Sequence, residues 1–216
     1  MKLAYKSMTM VLFATTIFSS AFLLFLVQPL ISKHILPWFG GSAAVWATCM
    51  VFFQVVLLAG YAYSDWITRY LKPLHQVTLH AALLAVSLIF LPIIPDSSLK
   101  PIGTEDPAFW ILVLLVSTIG LPYFLISTTG PLIQAWVTHT LIGTHVYRLF
   151  ALSNLASLLA LVSYPFLIEP SASLDVQAYT WSSVYTLFAF LCAVSAFYFF
   201  RHAGPATRGL YAGTKA

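Results

Sequence analysis

Long runs of apolar residues, each closed by a short polar or proline- and glycine-bearing stretch, set the pattern of this chain. The first run starts after Lys2 and Lys6 and continues without a charge through Leu30. It outlasts the roughly 7 to 15 apolar residues of a secretory leader and lacks a small-residue cleavage pattern, so it reads as a membrane-crossing helix. A span needs about 20 apolar residues, and on that ruler six are predicted, at roughly 9–31, 43–67, 75–95, 108–137, 147–168 and 178–200. The expected fold is an all-α membrane protein, a six-helix bundle over about 1–200, followed by a polar and mobile tail over about 201–216.

The fourth run is too long for one unbroken perpendicular span. Its GLPYFLISTTGPLIQAW stretch carries Pro122 and Pro131 with a cluster of hydroxyls between them, which predicts a helix broken twice and lining a site. Between the first two runs, SKHILPWFGGSAAVW holds turn formers and tryptophans and reads first as an interfacial turn, with an outer gate hinged at Gly40 and Gly41 as the alternative. The stretch from Pro92 to Pro107 holds four prolines and reads as an exposed loop. A faint repeat links the halves. Pro29-Leu30-Ile31 closes the first run and Pro131-Leu132-Ile133 the fourth, while Gly60-Tyr61 aligns with Ser163-Tyr164. Helices one to three and four to six then run in opposite senses, as an inverted three-plus-three repeat resembling half of a major-facilitator transporter requires.

Composition sharpens the class. Only 7% of residues are charged, against roughly a quarter in an average soluble domain, and 60% are hydrophobic. The formal charge of +4 is scattered rather than gathered into a stripe, so nucleic acid is not an expected partner. The basic residues serve as topology signals instead. With the N-terminus inside, Lys2, Lys6, Arg69, Lys72, Arg148, Arg201, Arg208 and Lys215 lie on the cytoplasmic side and only Lys33 and Lys100 outside. The expected location is a bacterial inner membrane with both termini cytoplasmic. Cys49 and Cys192 lie in apolar runs and read as buried, inert thiols.

Signatures of nucleotide, hydrolase or zincin chemistry are missing, and no acid, base and nucleophile converge within the spans. No cofactor or metal is expected. His80 is the sole intramembrane histidine, and His75 and His80 are wrongly spaced to share a helical face. The informative residues are polar groups inside spans, which are costly in lipid unless partnered or functional. They are Gln28 on helix one; Gln54, Tyr61 and Tyr63 on helix two; Ser127, Thr128, Thr129 and Gln134 on helix four; and Ser153, Asn154, Ser157 and Tyr164 on helix five. Interhelical glue and a ligand site explain them comparably well. Lys33 and Glu169 are expected to pair at the outer rim.

Four stretches, FLVQPLISKHILPWFGGSAAVW (25–46), FFQVVLLAGYAY (52–63), GLPYFLISTTGPLIQAW (120–136) and YRLFALSNLASLLALVSYPFLIEP (147–170), resemble the membrane portion of bacterial fused major-facilitator/spermidine-synthase proteins. The resemblance runs from about 20 to 200. It implies a membrane domain preceding a cytoplasmic domain similar to aminopropyltransferases. This sequence stops at Ala216, where that domain is expected to start, and has no glycine-rich nucleotide-binding turn. Aminopropyl transfer is therefore not carried over, and a soluble aminopropyltransferase-like partner is what the resemblance leaves. A polycation in transit needs carboxylates or stacked aromatic faces, and Asp65 and Glu169 are the only acids near the spans, so a neutral or weakly polar solute fits the lining better. The functional expectation is a transporter-like half bundle that self-associates or pairs with another membrane subunit. The alternative is a non-transporting anchor or assembly subunit.

Overall fold

The computed structural model describes residues 2–100, 107–140 and 146–202, with side chains described from 8 to 138 and from 147 to 201 apart from the 101–106 gap and the 139–146 stretch. Among these residues every regular element is helical. Helix α1 spans Lys2–Phe39, α2 Ala43–Tyr70, α3 Pro73–Ser87, α4 Pro107–Leu115, α5 Leu121–Thr140, α6 Val146–Ser163, α7 Glu169–Ser171 and α8 Leu174–His202. α4 and α5 are joined through a π-helical turn, Val116–Gly120, and α6 and α7 through another, Tyr164–Ile168. This yields six helical stretches long and apolar enough to cross a membrane. Of the predicted tail, Arg201 and His202 end the last helix; its remaining residues and the loop acids Glu105 and Asp106 lie outside the described residues.

Three boundaries differ from expectation, each for a physical reason. The first span does not stop near residue 31; α1 runs through Pro29 and Pro37 to Phe39. In lipid a freed backbone group has no water to turn to, so the helix persists through proline until the chain can reverse. Reversal comes at Gly40 and Gly41, whose φ values of 83° and 62° suit glycine, with the Gly41 amide donating to the Leu36 carbonyl at 3.1 Å. Ser42 then caps α2 by accepting from the Val45 amide. His34, expected in a loop, accordingly belongs to α1.

The fourth span is not broken at both prolines. Its single irregularity is the π turn ending just before Pro122, where the wider turn accommodates the missing donor, and α5 passes through Pro131 without interruption. The third span is shorter than expected, the α-helix ending at Ser87 and a 3-10 turn finishing at Phe90.

α1 and α5 form the centre of the bundle. α1 packs chiefly on α6, α5 and α8; α2 packs chiefly on α5; and α3 leans on α8. α2 and α6 barely touch each other, and both are largely exposed on the bundle surface. The apolar core falls into two clusters. One, toward the end where Gly40 turns, includes Phe53, Tyr123, Trp181, Tyr185 and Phe188. The other, toward the end where Lys72 turns, is built on Phe13, Ile133, Trp136 and Phe199. Buried hydrogen bonds stitch the helices, among them Ser87 to Tyr185 at 2.6 Å, Thr16 to Ser195 at 3.1 Å and the Trp181 indole to the Leu23 carbonyl at 3.0 Å.

The two helical hairpins, α2–α3 and α7–α8, turn in the same way. Each passes through two non-helical residues, and each following helix carries glutamine at its fourth position. Gln76 Nε2 donates to the Leu71 carbonyl and Gln177 Nε2 to the Ala172 carbonyl, both at 2.8 Å. The Gln76 and Gln177 backbone amides donate to Lys72 and Ser173 carbonyls, both at 3.0 Å.

Candidate functional site

A groove runs between α2 and α6 because those helices lean on the central pair and not on each other. α1 forms its floor along its length, joined by α5 toward the Lys72 end. The half nearer Lys72 holds a cleft of about 210 Å³ with a mixed lining, apolar from residues such as Phe25, Leu57 and Ile126 and polar from four helices: Ser20, Tyr61, Ser127, Ser153, Asn154 and Ser157. Gly130 and Pro131 complete the α5 side.

The position of Ser127 is set by close packing. A Cβ on Gly60 would lie 1.9 Å from Ser127 Oγ and 3.2 Å from the Phe124 carbonyl, so α2 and α5 approach this closely only with glycine there. One turn on, Ser64 Oγ donates to the Thr128 carbonyl at 2.9 Å. These two contacts fix the rotation of α5, and with it which hydroxyl of the Ser127-Thr128-Thr129 run meets the cleft. Only Ser127 does. Thr128 and Thr129 are fully buried and both donate to the Leu125 carbonyl, at 2.7 and 2.9 Å, so they belong to the packed interior.

The remaining sequence candidates fall as follows. Tyr61, Asn154 and Ser157 join Ser127 at the cleft, with Ser157 Oγ donating to the Ser153 carbonyl at 3.0 Å. Gln134 is buried further along α5 and is not part of the cleft lining. Gln54 is exposed and lines neither half of the groove, but it falls on the helical stripe of α2 that carries Met50, Leu57 and Tyr61 along it. Gln28 lies toward the Gly40 end, where its Nε2 donates to the buried Tyr123 hydroxyl at 3.0 Å. Lys33 and Glu169 form an ion pair at the rim of that end. Ser20 was not among the sequence candidates. A serine that bonds back to its own helix, here to Ile17 at 2.8 Å, leaves no sequence trace of what its other face meets.

A second polar cluster is sealed inside the bundle. His80 is fully buried, with Nε2 3.7 Å from Cys192 Sγ, the Tyr63 ring beside it and the Trp136 ring perpendicular to it. Trp136 Nε1 donates to Gln76 Oε1 at 3.0 Å, tying α5 to α3. Among the described residues no group of three or more His, Cys, Asp or Glu is placed to hold a metal ion. Cys49 and Cys192 are both buried free thiols.

Comparison with protein-family models, curated proteins and solved structures finds no match. The chemistry available in the cleft is hydrogen bonding by neutral groups: hydroxyls, a phenol and a carboxamide. It offers no nucleophile with a base beside it, and no charge.

Proposed function

We propose that this chain is a transporter-like half bundle of a bacterial inner membrane that takes part in moving a neutral, hydrogen-bonding solute, working as a dimer or with another membrane subunit. The observation that carries the reading is the uncharged polar cleft of about 210 Å³ bounded by Tyr61, Ser127, Asn154 and Ser157. A strongly apolar bundle has no packing use for such a lining on an open face, where each polar group is costly against lipid.

An inverted three-plus-three repeat supports the same reading. Exchanging the first three spans for the last three maps the α1–α6 packing onto α5–α2, the two most extensive pairs in the bundle, and maps the Gln76 hook onto the Gln177 hook. The groove then lies on the axis relating the halves, where transporters of this kind place their substrates. Gln54 and Asn154 expose carboxamides on α2 and α6, a reason for a second subunit to cover that face. The surplus of Lys and Arg toward the Lys72 end supports a cytoplasmic placement of that end and of both termini. The resemblance to fused spermidine-synthase-like proteins supports a soluble aminopropyltransferase-like partner on that side.

The anchor or assembly reading draws on Ser64, Thr128 and Thr129, which are packed as interhelical and intrahelical glue. The two readings separate in a thermal-shift screen of the purified protein against uncharged polar solutes. Transport predicts a solute that raises the melting temperature of the wild type but not of Asn154→Leu, while Thr128→Val keeps the shift. Absence of any stabilising solute, together with a monomeric mass and no copurifying subunit in mild detergent, would favour the anchor.

A further inference from the structure

The Gly40 half of the groove contains a second, larger compartment, of about 620 Å³, which the solute reading does not use. Its walls are mainly apolar: Leu36 on α1, Met50 on α2 and Leu161 on α6, with Pro29 and Pro165 between them and the Gln28 carboxamide as the polar exception. Its rim is charged, because the Lys33–Glu169 ion pair closes it, and both side chains remain partly exposed, 43% and 37%. Trp46 stands at the same rim, the depth at which tryptophan marks the head-group layer. Tyr164 also lines the compartment, is only 4% exposed, and its hydroxyl has no hydrogen-bond partner. That hydroxyl is shut off from the compartment, so Tyr164 contributes its ring to the wall and the charged rim supplies the polar contacts.

We propose that this compartment is a binding site for a zwitterionic phospholipid bearing a primary ammonium head group. The head group straddles the ion pair, its phosphate toward the Lys33 ammonium and its ammonium toward the Glu169 carboxylate, so that each charge meets its opposite twice. One acyl chain runs along Leu36, Met50 and Leu161, against the ring of Tyr164. The charges select the head group. An anionic lipid would gain Lys33 but bring its negative charge against Glu169, and a free phosphate would leave the apolar walls uncovered. The site is complete within one chain and does not depend on solute transport.

The test is native mass spectrometry of the intact protein released from detergent containing equal amounts of dioleoyl-phosphatidylethanolamine and dioleoyl-phosphatidylglycerol. The wild type should retain the ethanolamine lipid several-fold more than the glycerol lipid. Lys33→Gln with Glu169→Gln should abolish the preference, while the exchange Lys33→Glu with Glu169→Lys, which keeps a pair, should preserve it. Leu161→Trp, filling the compartment, should reduce retention of both. Equal retention by the wild type, a preference for the glycerol lipid, or a preference that survives the double glutamine change would overturn the proposal.

Discussion

Gly60 is the residue on which the cleft depends most directly. Because a Cβ there would meet Ser127 Oγ at 1.9 Å, Gly60→Ala must push α2 from α5 or turn the serine away. Overpacking of this kind costs about 1–3 kcal/mol, so the melting temperature in detergent should fall by several degrees, and Ser127→Gly should recover part of the loss. Ser64→Ala removes a single interhelical hydrogen bond and should cost less, about 0.6 kcal/mol by comparison with other membrane helices. Which of three consecutive hydroxyls meets the cleft could not be read from STTG, since neighbouring residues on a helix point about 100° apart and only tertiary contact sets the phase. The Lys33–Glu169 pair was legible for the opposite reason: two charges at the ends of apolar runs have few partners to choose from.

At the scale of the element, the two glutamine hooks give a paired expectation. Gln76→Leu and Gln177→Leu each leave a hairpin carbonyl, of Leu71 or Ala172, without its side-chain donor. Each should lower stability by about 1 kcal/mol, the usual net value of a hydrogen bond, with Gln76→Leu the worse because it also strips the acceptor from the Trp136 indole. Thermal unfolding of the two variants side by side checks the order. The six spans themselves were legible, since apolar length is what a bilayer demands. Their ends were less so. Rules that stop a helix at proline are drawn from chains with water at hand, and Pro29, Pro37 and Pro131 all sit inside continuous helix here. Pro122 behaves as expected in a different manner, with the strain taken up by the π turn before it.

For the whole molecule, the division of labour is between a packed pair, α1 and α5, and an open pair, α2 and α6, whose separation creates the groove. The groove was foreseeable only in part. Ser127, Asn154, Ser157 and Tyr61 were visible as polar residues at similar depth, but their convergence across four helices follows from packing that no periodicity records. If the groove faces a second subunit, crosslinking through Gln54→Cys should yield a covalent dimer, a clean readout because Cys49 and Cys192 are buried. A monomer under all oxidising conditions would direct attention to a different partner.

The central claim is that the cleft beside Asn154 is a water-accessible solute site and not a lipid-facing dent. The most direct measurement is labelling of Asn154→Cys by a membrane-impermeant maleimide applied to inside-out vesicles, with Leu158→Cys, exposed on the same helix outside the cleft lining, as the control. The buried native thiols keep the background low. The account predicts rapid labelling of Asn154→Cys, little of Leu158→Cys, and protection of the first by a solute that raises the melting temperature. Equal, slow labelling at both positions would contradict it.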